Sequence, residues 1–104
     1  GDLQESITEF KKAIEINPGS AETWYRLGLS YLRNTDLEKA QSAIEKALEL
    51  NPGYTRALYI LGIVLSQKGE MAEAIDRFTQ VVTLSPTYTS ARFDLGMSRY
   101  GGLR

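Results

Sequence analysis

Trp24-Tyr25-Arg26-Leu27-Gly28-Leu29-Ser30-Tyr31 returns further along the chain as Leu58-Tyr59-Ile60-Leu61-Gly62-Ile63-Val64-Leu65. At the same interval again stands Arg92-Phe93-Asp94-Leu95-Gly96-Met97-Ser98-Arg99. Leu-Gly holds the same place in all three copies. Outward from these stretches, Phe10, Ile44 and Phe78, Ala40 and Ala74, and Pro18, Pro52 and Pro86 keep that interval. A fixed period of this length marks units that cannot bury an apolar face alone and must stack on their neighbours.

The three prolines stand in Asn17-Pro18-Gly19, Asn51-Pro52-Gly53 and Ser85-Pro86-Thr87. A ring without an N–H stops a helix, and Asn or Gly permits the turn that follows. These are the joints between units. Between joints, Asn34-Thr35-Asp36 and Gly69-Glu70 divide each unit into two amphipathic stretches. With the stretch after each proline called A and the one before the next called B, the expected helices are B 3–16, A 21–33, B 37–50, A 55–67, B 71–84 and A 89–100, with no strand. Trp24, Leu27, Gly28 and Tyr31 share one helical face, as do Ala40, Ala43, Ile44, Ala47 and Leu48. Glycine inside a helix costs about 1 kcal/mol relative to alanine. Its return at 28, 62 and 96 implies a close approach by another backbone, with Ala40 and Ala74 expected opposite Gly28 and Gly62.

Trp24-x2-Leu27-Gly28-x2-Tyr31, followed by Ala40-x3-Ile44, Ala47 and Pro52, resembles the tetratricopeptide repeat family, with Ile44 in a position that is usually aromatic. The second copy, Leu58-x2-Leu61-Gly62-x2-Leu65 with Ala74-x3-Phe78, Val81 and Pro86, keeps the small and apolar classes but loses Trp and Tyr. The resemblance implies an all-α fold, a right-handed superhelix or α-solenoid of stacked antiparallel helical hairpins built from six helices. It frames residues 1–104 as one repeat domain: a half repeat 1–20, full repeats 21–54 and 55–88, and a half repeat 89–104. In this offset frame Ser6 lacks a glycine partner, and Ile7, Phe10 and Ile14 are expected to be partly stripped of a covering A helix, as in a piece of a longer array. Arg92 and Arg99 fill the slots of Trp24 and Tyr31 and suit a solvated end. Gly101-Gly102 reads as a helix stop.

Composition narrows the function. The 104 residues are 42% hydrophobic with a formal net charge of −1, which gives no general pull toward nucleic acid or anionic membrane. There is no cysteine and no histidine. Disulfides and thiolate metal sites are excluded, and the usual neutral-pH base and commonest transition-metal ligand are missing. No phosphate-binding glycine loop or calcium loop appears, and Asn34-Thr35-Asp36 is not a glycosylation acceptor. The longest apolar stretch, Ala57 to Leu65, is too short to cross a bilayer, and no basic-then-apolar leader opens the chain. The sequence reads as a soluble, non-catalytic protein, the cytoplasm being favoured, that takes no metal or cofactor and binds neither nucleic acid nor membrane.

In the family resembled, A helices line a concave surface and B helices a convex one. The A segments with the residues just after them hold seven bases against two acids; the B segments with the residues just before them hold five bases against eleven acids. A near-neutral chain is thus divided into a basic groove and an acidic back. Tyr25, Tyr59 and Phe93 recur at the period, as do Leu29, Ile63 and Met97, each pair one helical turn apart on its A helix. With the Leu-Gly face packed between helices, this second stripe is expected to face the groove; the competing reading buries Leu29 and Ile63 against the neighbouring repeat. A phenol suits a half-wet wall. Tyr25, Leu29, Tyr59, Ile63, Phe93 and Met97, rimmed by Arg26, Arg33 and Arg56, are therefore the expected groove for an amphipathic or acidic peptide or protein segment. A carboxylate clamp for chaperone tails, another use of this fold, needs Lys and Asn where Tyr25, Leu29 and Ile60 stand. The rival reading is self-assembly, a homo-oligomer stacked head to tail through the terminal helices with Ile7, Phe10 and Ile14 at the joint.

Overall fold

The computed structural model describes residues 2–85. Within them the chain forms five α-helices and no strand: α1 (Asp2–Ile16), α2 (Ala21–Arg33), α3 (Leu37–Leu50), α4 (Thr55–Gln67) and α5 (Met71–Leu84). The helices expected at 21–33, 37–50, 55–67 and 71–84 appear with those bounds, and α1 starts one residue earlier than expected. The sixth, 89–100, lies outside the described residues together with Arg92, Phe93, Gly96, Met97, Arg99 and Gly101-Gly102.

Local chemistry sets these boundaries. Before α2 the side chain of Asn17 accepts from Gly19 N at 3.2 Å, and Ser20 caps the helix by accepting from Thr23 N at 3.3 Å. Such caps satisfy amide donors that the first turn leaves without partners. At the A-to-B turns the chain closes in the same way twice. Asp36 N donates to Tyr31 O and Thr35 N to Leu32 O; Glu70 N donates to Leu65 O and Gly69 N to Ser66 O. This paired closure needs a left-handed residue just past the helix. That residue is Thr35 at φ 59° in the first turn and Gly69 at φ 84° in the second.

Antiparallel neighbours pack most extensively, α2 on α3 and α4 on α5. α1 lies on α2 and α3 on α4, while α2 and α4 touch more sparingly. One buried cluster runs through all five helices, from Ile7 through Leu27, Ile44 and Leu61 to Phe78. α4 is enclosed most completely: Ala57, Leu58, Ile60, Leu61, Val64 and Leu65 are all buried. This follows from a central helix having neighbours on several sides.

The backbone of Ala40 does approach Gly28 as expected, but the nearest atoms at both helical glycines belong to larger residues. A Cβ built on Gly28 would collide with Ile44 Cδ1 and lie 2.6 Å from Ile44 Cγ1, with the Ala40 carbonyl oxygen at 3.4 Å. On Gly62 it would lie 2.5 to 2.8 Å from three atoms of the Phe78 ring. The residues seated on the glycines are thus Ile44 and Phe78, one turn beyond Ala40 and Ala74. Side chains on a helix lean toward its N-terminus, so the larger residue covers the turn in which the alanine sits.

Candidate functional site

Tyr25, Leu29, Tyr59 and Ile63 are all half-buried, packed at the margin of the core. The Tyr25 ring lies 5.1 Å from that of Tyr54, tilted by 40°, and the Tyr59 ring 5.9 Å from that of Phe78, tilted by 49°. Both separations suit favourable aromatic pairs. Tyr54 stands in the turn before α4. Its counterparts are Ser20 in the preceding copy and Tyr88 in the following one, so the period repeats this tyrosine once, in the turn segment rather than on the A-helix stripe. Burial raises the Tyr54 phenol pKa; Glu22 acts in the same direction, and Arg56 and Arg26 act against it.

The three expected rim arginines differ. Arg26 Nη2 meets Glu22 Oε2 at 2.9 Å one turn back on α2, both side chains being more than half exposed. The hydrogen bond and charge of Glu22 raise the guanidinium pKa. In α4 the equivalent position is Ile60, only 8% exposed. Position 26 therefore corresponds to an interhelical site in the second copy. Arg33 and Arg56 are not buried and form no ion pair among the described residues. Phe93 and Met97 fall outside the described residues.

The terminal face departs from expectation in part. Ile7 is 6% exposed, and Phe10 and Ile14 are half-buried against the same core. Ile7 is thus covered, against expectation, while Phe10 and Ile14 keep the partial exposure expected of a stripe only partly overlaid.

A feature absent from the sequence reading lies on the other face of α2. Between α1 and α3 there is a cleft of about 720 Å³ floored by Trp24, Leu27 and Tyr31 and flanked by Ile14 and Ala43. Its charged lining is Lys11 of α1 with Glu38, Lys39, Glu45, Lys46 and Glu49 of α3, three bases and three acids. Trp24 Nε1 donates to Pro18 O at 2.9 Å, and Lys39 Nζ stands 5.8 Å from the centre of the Tyr31 ring. The signal for this cleft is a departure from periodicity: Leu58, Leu65 and Arg77 hold the places of Trp24, Tyr31 and Ala43 in the second copy.

Among the described residues, no group of three or more Asp or Glu side chains is placed to hold a metal ion. No described helix is long and apolar enough to cross a membrane.

A family model described as a tetratricopeptide repeat matches residues 25–89, and a second, described as a TPR repeat, matches residues 1–34. No curated protein sequence matches the chain. Among solved structures, the crystal structure of MamA superposes with a TM-score of 0.92 at 29% identity, over 98% of this chain and 59% of that one. This chain thus spans about three-fifths of that structure. The Arabidopsis OM64 TPR domain gives a TM-score of 0.91 at 17% identity, over 94% of this chain and 81% of that one. The first TPR of Spaghetti (RPAP3), bound to the HSP90 peptide SRMEEVD, gives 0.94 at 22% identity, over 100% and 85%. These last two likenesses carry the fold alone.

Proposed function

Because the chain belongs to the tetratricopeptide repeat family, we propose that it is a non-catalytic scaffold whose A-helix face holds an amphipathic or acidic segment of a partner protein. The observation that carries this reading is the half-burial of Tyr25, Leu29, Tyr59 and Ile63 at matching places in successive copies, beside the buried Leu27 and Leu61. Side chains that have lost part but not all of their hydration give up little more when a ligand covers them, and rings keep a polar edge for orientation. Arg33 and Arg56 supply cations without an ionic partner among the described residues, suited to a carboxylate. Arg26 contributes less, since Glu22 already offsets its charge. By sequence, Phe93 and Met97 extend the stripe into the half repeat 89–104, beyond the full repeats 21–54 and 55–88 and the half repeat 1–20.

The peptide held by the Spaghetti domain supports a peptide as the class of ligand. It does not carry over as a chaperone tail, because Tyr25, Leu29 and the buried Ile60 stand where a carboxylate clamp needs Lys and Asn. The test is to select peptides on the wild-type chain from a display library and titrate the best into wild type and Tyr59→Ala by calorimetry. Loss of a central aromatic anchor is expected to weaken binding by roughly 1–3 kcal/mol. Equal affinities, with helicity unchanged, would remove this face from the reading.

A further inference from the structure

We propose that the cleft between α1 and α3 is a second binding site, on the face opposite the Tyr25 stripe, for a short peptide segment that places a bulky apolar side chain between two carboxylates. Its volume of about 720 Å³ falls within the range of small-ligand pockets. Trp24 forms its floor with the indole donor already satisfied by Pro18 O, so the ring surface left in the cleft asks only for an apolar partner. The residues that shape the cleft change in the next copy. In the second, Leu58 and Leu65 are 4% and 2% exposed, and Arg77 replaces Ala43, with its Nε buried and lacking a hydrogen-bond partner.

Charge selects the occupant. Glu38 pairs with Lys68 at 2.6 Å and Glu49 with Lys46 at 3.8 Å. Lys11 and Lys39 remain, one on each wall, against Glu45, whose carboxylate is held by Gln41 Nε2 at 3.0 Å. Neither lysine has a carboxylate within ion-pair distance among the described residues. An apolar group entering between them is therefore best flanked by carboxylates. Residues 86–104 carry Arg92, Arg99 and Arg104 against Asp94, the wrong sign for this site.

Trp24 is the chain's one tryptophan, so its emission reports the cleft directly. The probe is the Trp-free peptide Asp-Leu-Asp-Phe-Asp-Leu-Asp, with Lys replacing every Asp in the control. A saturable change in Trp24 emission with the acidic peptide alone is expected. Lys39→Glu should weaken it about tenfold, and Ala43→Arg, which installs the side chain of the second copy, should abolish it. Tyr59→Ala should leave the Trp24 response to this probe unchanged, whatever it does to peptide held on the Tyr25 stripe, which separates the two sites. The proposal is overturned by a silent Trp24, by an equal response to the lysine peptide, or by indifference to Lys39→Glu in a variant of unchanged helicity. It is also overturned if Trp24 emission follows protein concentration without peptide, since a second copy would then occupy the cleft.

Discussion

The α2–α3 hairpin and the α4–α5 hairpin are successive copies of one template, yet they are filled differently. The first sets Ile44 on Gly28, turns on Thr35 and leaves a cleft beside Trp24. The second sets a Phe78 ring on Gly62, turns on Gly69 and buries Leu58 and Leu65. Backbone pattern and side-chain filling are therefore separable in this fold. The Leu-Gly and alanine positions fix how helices approach, while the residues around them decide whether a face is closed or open.

The sharpest way to break this comparison is to add one methyl group to each glycine. At Gly62 it would press on a ring that is almost fully buried and has no flexible end with which to yield. Gly62→Ala should therefore destabilise by about 2–3 kcal/mol, the upper range for overpacking a core. At Gly28 the contacts are with Ile44 Cδ1, which can turn aside, and Ile44 Cγ1 at 2.6 Å, which cannot without moving a fully buried side chain, so the strain is relieved only in part. Gly28→Ala should cost about 1–2 kcal/mol, less than Gly62→Ala. Urea unfolding of both variants measures the difference; equal losses would mean that ring and aliphatic chain fill their slots alike.

The turns give the next largest contrast. Thr35 holds a β-branched side chain at φ 59°, where its counterpart is Gly69 at φ 84°. Such a conformation costs on the order of 1 kcal/mol or more for a branched residue and little for glycine. Thr35→Gly should stabilise the chain by about 1 kcal/mol and Gly69→Thr destabilise it by about as much. A lower urea midpoint for Thr35→Gly would show that the hydroxyl's bond to Asn34 O at 2.6 Å outweighs the strain.

Which features could be read from the sequence follows from how local their causes are. Pro18, Pro52, Thr35 and Gly69 act on their own turns, and the helix limits they imply match the structure for α2 through α5. Ile44 and Phe78 are legible as core residues but not as the partners of the glycines, because that contact depends on the lean of a side chain across a helix pair. The burial of Ile7 depends on how α1 settles on α2, and the Tyr25–Tyr54 pair joins two positions unrelated by the period. The cleft is lined from α1, α2 and α3 together, a property of an arrangement of helices rather than of any one segment.

The smallest expected effect concerns how the second turn is tied to the first hairpin. Lys68 holds the place of Asn34, and each meets the acid two residues on: Asn34 Nδ2 bonds Asp36 Oδ2 at 2.8 Å, and Lys68 Nζ lies 3.7 Å from Glu70 Oε1. Lys68 also reaches back to α3, at 2.6 Å from both Glu38 Oε1 and Gln41 Oε1. The hydrogen bond to Glu38 is the largest influence on the ammonium; with the charges of Glu38 and Glu70 it raises the pKa against the opposing effect of desolvation. A lysine whose pKa is higher folded than unfolded contributes stability below its unfolded value, roughly pH 10, and loses that contribution as pH rises through the folded one. Lys68→Met should therefore lower the melting temperature near neutrality and narrow its gap from wild type in the alkaline range. Asn34→Met has no ionisable group to lose and should show a gap independent of pH over the same window. A Lys68→Met deficit that persists undiminished above the folded pKa would mean that the long side chain ties the hairpins by packing, and that its charge adds nothing.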